Sequence, residues 1–145
     1  MTDNIYNEVL LDHNLHPLHL HDLPCATCSN AGLNPTCGDQ LTLHLTIEDG
    51  IIRNGAFTGV GCAVSQASTD IMLDLIIGRT IGEAVHLKEL FGKMIAGEIS
   101  DDELEELEEA GALRNISKMP ARVKCALLGW NTLGKLLEDA VGGGA

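Results

Sequence analysis

An α+β fold, with helices on one face of a small antiparallel sheet, is predicted by three observations along the chain. Residues 40–48 alternate, with Leu41, Leu43, Leu45 and Ile47 set against Thr42, His44, Thr46 and Glu48, the pattern of a half-buried strand. Asp49 and Gly50 then give a two-residue hairpin signal, and residues 51–58 can return as the antiparallel partner. Beyond residue 62 the apolar spacing becomes helical.

The elements follow in order. Residues 4–14 read as a short amphipathic helix with Ile5, Val9 and Leu10 on one side, and Pro17 stops it from running on. Residues 16–33 mix His, Pro, Cys, Ser, Asn and Gly, which is loop chemistry. Gly59 and Gly61 relax the end of the returning strand just before Cys62, and Val64, Ala67, Ile71 and Leu75 mark a helix over residues 63–77. A second helix is expected over residues 80–96, with Gly97 as its stop. Ser100 and Glu103 fit a capping box for a short surface helix with a solvated acidic face. Pro120 opens the last helix, whose buried stripe is Val123, Leu127, Trp130 and Leu137.

A length of 145 residues suits one domain, expected over residues 1–145. The chain is 45% hydrophobic but has only one Trp, one Tyr and two Phe, so the core must be aliphatic and alanine-rich. The net charge of -12, concentrated in residues 101–109, argues against a nucleic-acid partner, because phosphate binding needs a basic face. There is no apolar stretch long enough for a membrane span and no secretory pattern at the start, so a cytoplasmic protein without a membrane partner is expected. In a reducing compartment, five cysteines point to metal binding or catalysis before structural bridges.

Three of the cysteines fall at element edges: Cys37 before a strand, Cys62 at a strand-to-helix turn, and Cys125 in the first turns of the last helix. A lone cysteine often packs as a small hydrophobe, but Gly38 and Gly61 beside two of them are not what a packing role requires. In extended chain, residues i and i+2 project to the same side, so Cys37 and Asp39 can reach one point while Gly38 keeps the edge clear. Three thiolates and a carboxylate suit zinc, and thiolate-rich sites also suit iron–sulfur chemistry; composition does not choose between them. Such a set around a divalent ion carries a net charge of about -2, which Arg122, on the same helical face as Cys125, can offset.

These residues carry a family resemblance. NPTCGD at residues 34–39, GVGCAVSQAS at 59–68 and PARVKCALL at 120–128 resemble the three signature segments of the SufU/IscU (NifU N-terminal) iron–sulfur assembly family, and IYNEVLLDH at 5–13 resembles its first helix. The resemblance implies a three-stranded antiparallel sheet with helices packed on one face. Where the IscU branch has a histidine before the last cysteine this chain has Lys124, and its PARVKC segment and longer insertion between the second and third cysteines resemble the SufU branch. What that branch implies is a zinc-dependent sulfurtransferase that receives persulfide sulfur from a SufS-type cysteine desulfurase and serves downstream Suf scaffold proteins. Cys37 would be the sulfur acceptor, Cys37, Asp39, Cys62 and Cys125 the zinc ligands, and Arg122 a helper at the partner interface. One alternative is a scaffold for a labile [2Fe-2S] cluster; a second is a structural zinc-binding interaction module. Cys25 and Cys28 depart from the family pattern. With His13, His16, His19 and His21 close by, they could form a second zinc site or a surface dithiol, or could join Cys37 in a rearranged site that leaves Cys62 and Cys125 to pack.

Overall fold

The computed structural model describes residues 8–34 and 38–143. Their order is α1 (Glu8–Leu15), β1 (Cys28–Asn34), β2 (Asp39–Glu48), β3 (Ile51–Val60), α2 (Ala63–Ile76), α3 (Ile81–Ile95), α4 (Asp101–Glu106), a 3-10 segment (Glu108–Lys118) and α5 (Pro120–Gly143). The sheet is antiparallel throughout, with β2 in the middle. The alternation of β2 is realised as predicted: Leu41, Leu43 and Leu45 are buried, while Thr42, His44 and Thr46 are half-exposed on the other face. On that open face the His44 ring bridges the Ser29 hydroxyl at 2.9 Å and the Thr58 hydroxyl at 3.1 Å, a polar ladder across all three strands. Asp49 and Gly50 have φ of 54° and 74°, the left-handed pair a tight two-residue hairpin requires.

The first strand corrects the reading of residues 16–33 as loop. Cys28–Asn34 is polar and glycine-containing, yet it pairs with β2 along its whole length. Tertiary contact overrides its weak propensity: Asn30 donates to the Thr132 carbonyl at 3.4 Å, and a Cβ on Gly32 would collide with the Thr132 hydroxyl. Gly32 is therefore what lets α5 lie against this edge strand.

Helices cover one face of the sheet. α2 is buried along almost all of its length, including the predicted Val64, Ala67, Ile71 and Leu75. Its Leu73 fills the space left by Gly55 of β3, where a Cβ would come within 2.8 Å. α2 and α5 meet without a gap: the Ser68 hydroxyl donates to the Ala126 carbonyl at 2.7 Å, and Gly129 lies directly against Thr69. Behind them, α3 stacks Phe91 on Trp130 with ring centroids 4.4 Å apart. Among the described residues no helix is long and apolar enough to cross a membrane.

The acidic run also differs from expectation. Its capping box forms, but the helix stops at Glu106, and Glu108 takes a positive φ of 49° to begin the 3-10 segment. Its face is not simply solvated, because four carboxylates find partners on other elements. Glu103 meets Lys93 at 2.6 Å, Glu106 meets His86 at 3.0 Å, Glu108 meets Arg79 at 2.8 Å and Glu109 meets His13 at 3.4 Å.

Candidate metal centre

Asp39 is the first residue of β2 and shares the buried face with Leu41, so its carboxylate is turned inward and is 1% exposed. Cys62 caps α2. Its extended backbone ends the β3 turn, its sulfur accepts from the Ser65 N–H at 3.4 Å, and the Ser65 hydroxyl donates to its carbonyl at 3.1 Å. Two glycines make this turn fit. Gly59, at φ 120°, passes so close to the Gln40 carbonyl that no Cβ is possible, and a Cβ on Gly61 would stand 3.3 Å from Asp39 Oδ1 and collide with Ser65. Cys125 is fully buried in the second turn of α5, level with the α2 crossing that Ser68 and Ala126 lock.

The three elements thus deliver Asp39, Cys62 and Cys125 with one ligand atom each, all within 4.8 Å of one another. Asp39 Oδ1 accepts the Cys62 backbone N–H at 2.8 Å, which fixes the carboxylate. Asp39 Oδ2 is buried with no hydrogen-bond partner. A buried polar atom left unpaired costs about 1–3 kcal/mol, more if charged, and a cation shared with two sulfurs would remove that cost. The donor set fits zinc, which accepts thiolate and carboxylate ligands together. The Ser65 N–H at the start of α2 points at the Cys62 sulfur.

Of the other predicted site residues, Cys37 lies outside the described residues. Arg122 stands half-buried one turn before Cys125, its backbone N–H bonded to the Met119 carbonyl at 2.8 Å. The region of Cys25 and Cys28 does not assemble: among the described residues the Asp39, Cys62 and Cys125 group is the one set placed to hold a metal. Cys25 is exposed, and the Cys28 thiol points to the Leu45 carbonyl at 3.8 Å, with burial pushing its pKa up. His13 is committed elsewhere, to buried Asp70 at 2.6 Å. Two residues without an assigned role in the sequence reading border the site, Ser65 and Asn34. Both lie in the quoted motifs, but only the fold shows that one caps Cys62 and the other is the cross-strand neighbour of Asp39.

The fold and the inward-facing carboxylate and thiols define a small α+β protein with a candidate thiolate–carboxylate metal centre. The family model for the NifU-like N terminal domain matches residues 5–135, and the chain belongs to that family. It is 39% identical over 134 residues to the iron-sulfur cluster assembly scaffold protein IscU of Thermotoga maritima, covering 92% of this chain and 93% of that one. It is 35% identical over 141 residues to the zinc-dependent sulfurtransferase SufU of Bacillus subtilis, covering 97% and 95%. Among solved structures, one described as an assembly scaffold protein for the SUF system of Fervidobacterium islandicum superposes with a TM-score of 0.86 at 34% identity, over 92% of this chain and 96% of the other. The three-stranded antiparallel sheet with helices on one face is the architecture of these relatives.

Proposed function

We propose that this chain is a zinc-dependent sulfur acceptor that takes persulfide sulfur from a SufS-type cysteine desulfurase during iron–sulfur cluster assembly. The supporting observation is the donor set itself: a carboxylate with one oxygen fixed and the other unpartnered, facing two cysteine sulfurs within 4.8 Å. Asp39, Cys62, Cys125 and Cys37, two residues before Asp39 in sequence, are the ligands. Bound zinc supplies a redox-inert charge that keeps thiols ionised.

The reaction belongs to Cys37. Its thiolate attacks the outer sulfur of the desulfurase persulfide; a new S–S bond forms, the old one breaks, and its electron pair leaves with the desulfurase thiolate. Sulfur is passed on without any change in redox balance. Asp39, Cys62 and Cys125, each fixed by a different element, hold the rest of the site in place, and Arg122 offsets negative charge at the partner interface. The zinc-dependent relative and the lysine at position 124 favour this branch of the family. One domain over residues 1–145, in the cytoplasm and serving downstream Suf scaffold proteins, completes the reading.

The name of the Thermotoga maritima relative favours a second reading, a scaffold on which a labile [2Fe-2S] cluster is assembled by the same residues. Anaerobic purification followed by zinc, iron and sulfide analysis, together with a desulfurase assay, separates the two. The sulfur-acceptor reading expects about one zinc per chain and faster cysteine desulfuration that is lost in Cys37→Ala. Iron and acid-labile sulfide in equal amounts, with no acceleration, would overturn it in favour of the scaffold.

A further inference from the structure

Asn34 carries a buried amide nitrogen, Nδ2, with no hydrogen-bond partner, and the residue is 6% exposed. Buried amide donors are almost always satisfied, so this one calls for a partner. Three atoms share that condition among the described residues: Asn34 Nδ2, Asp39 Oδ2 and Trp130 Nε1. The indole nitrogen belongs to a core ring stacked on Phe91. The other two belong to directly opposed residues of β1 and β2.

The ladder along α5 places Asn34 more closely. Asn30 reaches the Thr132 carbonyl, Gly32 faces Thr132 and Leu128, and Asn34 lines a cavity of about 180 Å³ with Leu128, Lys124 and Asn131. β1 therefore runs antiparallel to α5, and each step of two residues moves toward the helix start. Asn34 is level with the turn of α5 from Lys124 to Leu128, which includes Cys125, and it pairs across the sheet with Asp39.

Both a donor and an acceptor stand unpaired here, yet they are not bonded to each other. A cation between the ligands satisfies Asp39 Oδ2. The nearby acceptors that gain charge in the same event are the ligating sulfurs, because Asp39 Oδ1 is already taken by Cys62 N–H. We propose that Asn34 is a positioning residue of the metal-loaded site, its side-chain N–H donating to a ligating thiolate sulfur. A neutral donor suits this place. It drains charge from a thiolate-rich site without adding a ligand, as groups behind metal ligands commonly do.

This inference rests on the metal-site reading, and cobalt(II) loading tests the two separately. Wild-type protein with cobalt bound by thiolates shows a sulfur-to-cobalt charge-transfer band, lost in Cys62→Ala; absence of that band in the wild type overturns both the site and the role of Asn34. With the band present, Asn34→Leu, of similar size but lacking the donor, is expected to move it to lower energy and to weaken zinc binding about tenfold. Asn34→Gln should recover part of each change. Asn34→Ala gives the same readout if leucine is not accommodated. An unmoved band and unchanged zinc affinity in the donor-less variants, even with a lower melting temperature, would leave Asn34 as mere packing and overturn the proposal alone.

Discussion

Cys62 and Cys125 are far apart in sequence and meet at Asp39, whereas Cys25 and Cys28 are three residues apart and join no metal-binding group among the described residues. The first pair is carried by the starts of two helices locked at Ser68 and Gly129, with the carboxylate delivered by the central strand. The second pair sits at the entry to an edge strand, one thiol exposed and the other turned to a backbone carbonyl. Nearness in sequence thus says less about a metal site than delivery of each donor by a separate, fixed element.

The comparison breaks first on metal affinity. Cys62→Ala and Cys125→Ala should each weaken zinc binding by more than about 100-fold in a chelator competition, and Cys25→Ala/Cys28→Ala should leave it unchanged. Equal losses would erase the distinction between the two regions.

Next is the helix junction. Gly129→Val drives a branched side chain into Thr69, and overpacking of this kind costs about 1–3 kcal/mol. Urea unfolding should show that loss, along with weaker zinc binding, because the same crossing seats Cys125. Stability lost with zinc affinity intact would separate the junction from the site.

A third test concerns His13, one of the histidines near Cys25 in sequence. Burial lowers its pKa, but the hydrogen bond and charge of Asp70, reinforced by Glu109, outweigh this and hold it above the ordinary value of 6.5. Its contribution to stability is therefore fully present below about 6.5 and lost as pH rises through the folded value. The urea midpoint of the wild type should fall across that range, and His13→Gln should flatten the trend. Parallel profiles would show that the ion pair does not couple to folding.

The smallest effect is expected at the edge strand itself. With its thiol pKa pushed up by burial, Cys28 should alkylate several-fold more slowly than exposed Cys25, as resolved by peptide mass spectrometry. Equal rates would mean that Cys28 is not sheltered.

Much of this was legible in the sequence because local chemistry and global fold agree there. The alternation of β2, the Asp49 and Gly50 turn, the Ser100 to Glu103 capping box and the stripe on α2 each specify one outcome. β1 was not legible: its residues favour turns, and only the pressure of α5 on Gly32 and the pairing with β2 make it a strand. The acidic run hid its partners for the same reason, since Lys93, His86, Arg79 and His13 come from distant elements. At the candidate site the three donor positions were readable from motif and spacing. That Asp39 keeps one oxygen unbonded, and that Asn34 stands beside it, required the register of the sheet.

Cys125 lies on α5, far along the chain from Asp39 and Cys62, and that sets an order of assembly. Until α5 docks, Asp39 and Cys62 form an incomplete site, because the third donor is carried by that helix. Metal capture at that site can only follow the docking of α5. Retained metal would then report that α5 is docked against α2 and the sheet.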